Sequence, residues 1–107
     1  MDRATTLEEK QPHLIVDLVL YTTERGGRVA SAVPGWGFVC VQDQVASPGW
    51  DGWPLLGKRS IRPGESRRVG LFLLSGEEAA SSLRRARKFF IWEGRVVGEA
   101  IVVDEDR

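Results

Sequence analysis

The sequence is poor in the residues that build metal, redox and disulfide sites. Its 107 residues include one cysteine, Cys40, and one histidine, His13. A single cysteine excludes an internal disulfide, and two such ligands fall short of a closed zinc site. We therefore expect neither a metal nor a cofactor. Cys40 is interpreted as a small buried apolar residue on a strand, and His13 is predicted to face solvent.

Long apolar runs and an excess of either charge are also missing. No apolar stretch approaches the roughly 20 residues that a membrane-spanning helix needs. The polar start, MDRATTLEEKQP, lacks the apolar core of a signal peptide. Fifteen basic and fifteen acidic residues cancel, so whole-chain charge favours neither nucleic acid nor an anionic membrane. These features predict a cytoplasmic protein that does not bind membranes.

The chain instead contains short segments in which apolar and polar residues alternate. In 14–20 every second residue is leucine or valine, and 66–74 repeats the pattern, which is typical of strands with one buried face. Shorter strands are predicted at 37–42 and 54–56. The stretch 88–103 reads as a hairpin with a left-handed Gly94 in its turn, and Arg-Pro-Gly-Glu at 62–65 predicts a type II turn.

One helix is expected, over residues 76–87. Ser75 and Glu78 have the spacing of a capping box, and acidic residues open the segment while basic residues close it. Several short strands with turn signals and one inserted helix predict an all-β protein, a single closed antiparallel β-barrel of about six strands.

The ends of the chain differ in composition from the predicted barrel at 13–103. Residues 1–12 are predicted to form a flexible polar tail, within which Thr6 and Glu9 fit a capping box for a helical turn. Residues 104–107 are predicted to form an acidic tail.

Four stretches, in the same order along the chain, resemble one known domain. They are VDLVLYTTERGGR at 16–28, PGW at 34–36, IRPGE at 61–65 and FFIWEGRVVGEAIVV at 89–103. Together they are similar to the third, C-terminal β-barrel domain of elongation factor Tu and related translational GTPases, here as a stand-alone domain. The resemblance implies a barrel that docks on neighbouring proteins. It also matches Arg28 to an arginine of a loop in a domain that contacts tRNA.

No arrangement of residues in the sequence points to catalysis or nucleotide binding. The segment GWPLLGK at 52–58 has the glycine and lysine spacing of a phosphate-binding loop. Arg59 stands where a magnesium-binding hydroxyl should follow, and no helix pattern comes after it. Paired carboxylates lie in the predicted tails or open the helix. We therefore predict a protein that is not an enzyme and does not bind nucleotides.

The candidate binding residues are aromatic and basic side chains. Trp50 and Trp53 lie in a region rich in Gly and Pro, where they either anchor a partner or pack locally. Basic residues cluster over 58–88, which indicates either a solvated face or a patch for RNA phosphates or an acidic partner. The predicted surface is a loop side carrying Arg28 and both tryptophans, flanked by the basic helix end with Arg84, Arg85 and Arg87.

These observations predict a non-catalytic binding module for another protein. The alternative is a translation-linked, tRNA-like RNA-binding protein that uses Arg28 and the basic residues. Binding through many phosphates weakens steeply as salt is raised, so salt dependence separates the two interpretations.

Overall fold

Six antiparallel strands close into one barrel in the computed structural model, which describes residues 2–43 and 49–103. Around the barrel the order is β1–β4–β3–β2–β5–β6, and β6 pairs with β1. This confirms the predicted fold class. The strands are β1 Leu14–Leu20, β2 Phe38–Val41, β3 Trp50–Pro54, β4 Ser66–Leu73, β5 Lys88–Trp92 and β6 Val96–Val102; the helices are α1 Arg3–Glu8 and α2 Glu77–Ala86.

The core follows from the alternation that the sequence shows. All four residues on one face of β1 are buried, and Val69, Leu71 and Leu73 of β4 are buried opposite them. The register sets Val16 against Val69 on one side and against Val102 on the other. Burying such side chains stabilises the fold by about 1.5–3 kcal/mol each, which fixes the register because a one-residue slip would expose them.

The antiparallel order gives the barrel two distinct ends. The connections 21–37, 55–65 and 93–95 lie together at one end, which we call the loop end. Helix α2 lies at the opposite end, which we call the helical end. Since β4 has eight residues, the two ends are about 25 Å apart along that strand.

Helix α2 closes the helical end. Ala79, Ala80 and Leu83 are fully buried and belong to the core of the barrel. The predicted capping box at Ser75 is wrong, because the N-cap is Gly76 and no side chain caps the helix. The N–H of Gly76 donates to the carbonyl of Leu73 in a tight turn with a φ of 64° at the glycine, so the helix starts after this turn.

Residues 3–8 of the predicted polar tail form α1, which packs on the barrel. Its N-cap is Asp2, whose carboxylate accepts a 2.9 Å hydrogen bond from the N–H of Thr5, so the predicted capping box at Thr6 and Glu9 is wrong. Leu7 is its one buried residue. The predicted acidic tail at 104–107 lies outside the described residues.

The turns at the loop end agree with the sequence. Gly64 has a φ of 87° and the N–H of Glu65 donates to the carbonyl of Arg62, which confirms the type II turn. Gly94 is left-handed as predicted. The strand predicted at 54–56 is wrong, because β3 starts at Trp50 and ends at Pro54. In the described part of the chain, neither helix has the length and hydrophobicity to cross a membrane.

Candidate binding surface at the loop end

The predicted binding residues do not lie on one surface. Arg28 is at the loop end, whereas the three arginines of the predicted helix lie in α2 or at its C-cap, at the helical end. Trp50 begins β3 and is therefore also at the helical end. The prediction of one loop side carrying Arg28 and both tryptophans, flanked by the basic helix end, is wrong because β3 and β4 separate these residues along the barrel.

Both tryptophans predicted to lie in a loop belong to β3. Trp50 is half-buried and packs against the core. Trp53 lies on the outer face of the strand, where its ring is 6.2 Å from that of Phe72. Its indole nitrogen is buried and has no hydrogen-bond acceptor among the described residues. Trp50 thus contributes to packing, while Trp53 stays at the surface.

Arg28 is held at the loop end by Glu93 of the β5–β6 turn. Nη1 of Arg28 donates to Oε2 of Glu93 at 3.0 Å, and Nε1 of Trp36 donates to the same oxygen at 2.9 Å. The guanidinium of Arg28 also lies 5.2 Å from the centre of the Trp36 ring. The Arg28 side chain is only 20% exposed. Its charge is therefore already paired within the molecule.

The same turn and a backbone bridge hold the rest of the β1–β2 connection. The Arg95 guanidinium donates to the carbonyls of Gly26 and Gly27, at 3.0 and 2.9 Å. Further along, Ala32 and Ile61 exchange two backbone hydrogen bonds of 2.8 and 2.9 Å. Residues 28–36 are thus fixed at several points, although they lie outside the strands.

This fixed segment presents two large apolar side chains to solvent. Val29 is 83% exposed and Val33 is 60% exposed, on either side of the buried Ala32 and its bridge. We call residues 28–36 the valine loop. Exposed apolar side chains on an ordered loop are a feature of binding surfaces, because partner binding then orders little additional chain.

The basic residues at 58–88 do not form one patch. Those at 58–68 lie at or near the loop end, and those at 84–88 lie at the helical end. Several are paired: Arg68 with Asp17 at 2.8 Å, and Arg67 with Glu65 at 2.7 Å. The N–H of Arg62 and the Arg67 guanidinium hold the pKa of the Glu65 carboxyl below its usual value. Arg25 and Lys58 make no ion pair with any described residue.

The arginines of α2 are mostly engaged on their own helix. Arg84 donates to Glu77 at 3.1 Å and Arg85 donates to the Ser81 hydroxyl at 2.9 Å. Arg87 ends the helix in a left-handed conformation, with its N–H on the Leu83 carbonyl. Of the two interpretations of these residues, the geometry favours a solvated helix face.

The cysteine and the histidine both pack within or against the barrel. Cys40 is fully buried, and this burial raises the pKa of its thiol, so its interpretation as a buried apolar residue is confirmed. His13 is half-buried and its Nδ1 accepts a 3.0 Å hydrogen bond from the N–H of Leu73, so it faces solvent only in part. Among the described residues, no three His, Cys, Asp or Glu side chains are placed to hold a metal ion.

No protein-family model matches the chain, and no curated protein matches it either. The resemblance to the third domain of elongation factor Tu therefore stays a prediction.

Three residues that define this surface best, Glu93, Val29 and Val33, were not predicted from the sequence. Glu93 was read only as part of a turn, and Val29 and Val33 gave no binding signal because isolated valines usually belong to a core. Their position between two glycine-containing turns, at 26–27 and 35, was the one available hint.

Proposed function

We propose that this chain is a non-catalytic protein-binding module that contacts its partner through the valine loop. The observation that carries the proposal is the exposure of Val29 and Val33 on a segment held by Glu93 and the Ala32–Ile61 bridge. Each valine offers apolar area that binding would remove from water. A loop that is already ordered loses little conformational entropy when it docks.

The exposed basic side chains near the valine loop support a role in attracting the partner rather than in the final contact with it. Arg25 and Lys58 are exposed, and the side chains of Arg59 and Arg62 are 75% and 79% exposed. Exposed charges at the rim of an interface chiefly speed association and make it dependent on salt. The resemblance to a domain that docks on its neighbours supports the same proposal.

RNA binding has weaker support from the geometry. Arg28, the residue that the resemblance assigns to a tRNA-contacting domain, has its guanidinium on Glu93 and Trp36. The remaining basic residues are divided between the two ends of the barrel. An RNA phosphate backbone would therefore find no continuous stripe of basic side chains in the described part of the chain, and the guanidinium of Arg28 is already paired with Glu93.

The experiment compares a double variant of the valine loop with a matched control. The full chain carrying Val29→Asp and Val33→Asp is used to capture and then titrate a partner, beside wild type and Leu74→Asp. Leu74 is a suitable control because it is 63% exposed but lies at the helical end. We expect the double variant to lose about 2 kcal/mol or more of binding free energy, the scale of an anchor, while the control binds like wild type.

Two results would contradict the proposal. Equal losses in the double variant and in Leu74→Asp would show that the valine loop is not the contact. If the wild-type chain and the double variant both bind RNA, with an affinity that falls steeply between low and moderate salt, the RNA-binding alternative would replace the protein-binding proposal.

A further inference from the structure

A groove of about 420 Å³ crosses the outer face of β3, β2 and β5, beside the valine loop. Trp53 and Asp51 of β3 form one wall, and Trp92 and Glu93 form the other. Val39 and Gly37 lie between them, at and before β2. The groove therefore combines two indole rings with two carboxylates.

The strand register arranges these groups across the groove. Val39 pairs with Asp51 on one side and with Trp92 on the other, so the carboxylate and the indole stand opposite each other. They are two strand spacings apart, or about 10 Å between backbones, and Val39 forms the floor between them. The Trp53 ring lies across Gly37, where a Cβ would overlap its indole nitrogen.

A cation already occupies part of this groove. The guanidinium of Arg3, from α1, lies 5.9 Å from the centre of the Trp53 ring. Arg3 makes no ion pair with the described residues, and neither does Asp51. A cation over an indole and an unpaired carboxylate nearby are the two elements of an aromatic–acidic cation site.

Helix α1 holds Arg3 there weakly. It has six residues and one buried side chain, Leu7. A helix this short has no stability of its own in water, so Arg3 can leave Trp53 without disturbing the barrel.

We propose that this groove binds an arginine side chain of a partner peptide, stacked on Trp53 with Asp51 as its counter-ion, and that Arg3 occupies the position when no peptide is bound. The planar guanidinium fits both elements, because it stacks on aromatic faces and forks onto a carboxylate, whereas an ammonium does neither as well. The groove lies beside the valine loop but requires no contact from it, so the proposal stands apart from the function proposed above.

The test follows the four indole N–H signals of the full, isotope-labelled chain by NMR. The probes are three blocked tripeptides: Gly-Arg-Gly, Gly-Lys-Gly and Gly-citrulline-Gly, the last a neutral isostere of the first. We expect the arginine peptide to shift the signals of Trp53 and Trp92 saturably, in the millimolar range expected for a single side chain, and to leave that of Trp50, which does not line the groove, in place. Citrulline should bind at least about tenfold more weakly, since it lacks the charge.

Two substitutions separate the parts of the site. Asp51→Asn should weaken the arginine peptide by roughly fivefold by removing the counter-ion, while Arg3→Gln should tighten it by roughly threefold by removing the internal competitor. Glu24→Gln, a change at an exposed acid that does not line the groove, is the control and should change nothing. Thermal unfolding of each variant confirms that the barrel is intact.

Equal shifts with arginine and citrulline would overturn the proposal, as would the absence of saturation in the Arg3→Gln chain. The Val29→Asp, Val33→Asp chain should bind the arginine peptide like wild type. If this chain loses the partner but still binds the peptide, the two sites are independent, as proposed. Unchanged partner binding would contradict the proposed function alone, and a failure of the wild-type chain to bind the arginine peptide would contradict the groove proposal alone.

Discussion

Replacing Glu93 by alanine should destabilise the loop end more than any other single change to an exposed acid. One carboxylate oxygen of Glu93 accepts hydrogen bonds from both Arg28 and Trp36, 65 and 57 residues away in the sequence. The substitution leaves a largely buried guanidinium without its counter-ion and an indole N–H without its acceptor.

The magnitude follows from the exposure of the partners. A hydrogen bond to a charged group is worth about 1.5–3 kcal/mol when buried, and an exposed ion pair about 0–1 kcal/mol. The side chains of Arg28 and Glu93 are 20% and 36% exposed, so each of the two interactions lies between these limits, near 1 kcal/mol. We therefore expect Glu93→Ala to lower the free energy of unfolding by about 2 kcal/mol. Glu93→Gln, which keeps an acceptor for Trp36, should lower it by about 1 kcal/mol.

Urea unfolding measured by tryptophan fluorescence gives both values, and Glu24→Ala serves as the control. Glu24 is exposed on the β1–β2 connection, which also carries Arg28 and Trp36, and a substitution there should stay within about 0.5 kcal/mol of wild type. A double-mutant cycle with Arg28→Ala then isolates the Arg28–Glu93 coupling. If Glu93→Ala matches Glu24→Ala, and the amides of Ala32 and Ile61 keep their protection from hydrogen exchange, Glu93 does not hold the valine loop.

Three further outcomes test other parts of the structure. Burial and the hydrogen bond to Glu99 raise the pKa of Tyr21, the one tyrosine, to about 12. Since an unfolded tyrosine ionises near 10, the contribution of Tyr21 to stability should be complete below about pH 10 and fall between about pH 10 and 12. The variant Tyr21→Phe should not show this fall, and an absorbance titration of the native protein with a midpoint near 10 would refute the prediction. The buried Cys40, with its raised thiol pKa, should resist iodoacetamide in the native protein and react only after unfolding; rapid native alkylation would contradict its position. Gly27→Ala should lower the free energy of unfolding by about 3 kcal/mol or more, since the added Cβ overlaps the Tyr21 carbonyl. At Gly57 an added Cβ meets no atom within 4 Å, so Gly57→Ala should lower it by only about 1 kcal/mol, through the positive φ. Similar chemical-denaturation midpoints for the two variants would refute this difference.

The sequence predicted the strands whose buried faces carry large aliphatic residues. In β1 and β4 leucine and valine alternate with other residues, and the structure agrees nearly to the residue. β3 was misplaced because its inward face carries Gly52 and Pro54 beside Trp50, while Trp53 lies on the outer face. The period-two pattern is present in the backbone, but small and imino residues remove it from the hydrophobicity of the sequence. At α2, a positive-φ turn at Gly76 displaced the capping box that the sequence favoured.

The candidate surface was less accessible to sequence reasoning, because it depends on contacts between distant segments. Arg28 could be placed in a loop from its glycines, but not paired with Glu93. Likewise, the contacts that Trp53 makes with Gly37 and Arg3 could not be read from its own segment. Local patterns identify which residues are polar or aromatic; only the closed barrel decides which of them meet.

The closing ladder of the barrel has a consequence for the rate of folding. β1 pairs with β6, so Val16 has to find Val102 across most of the chain before the ring is complete. Chains dominated by such long-range pairing pay the entropy of loop closure early and fold in milliseconds to seconds, far more slowly than helical bundles. Until that last ladder forms, the backbone amides and carbonyls of β1 and β6 have no partner on one side, and they can pair with another unfolded copy. The time spent before closure, rather than the stability of the finished barrel, therefore sets how much of the chain aggregates when it refolds at high concentration.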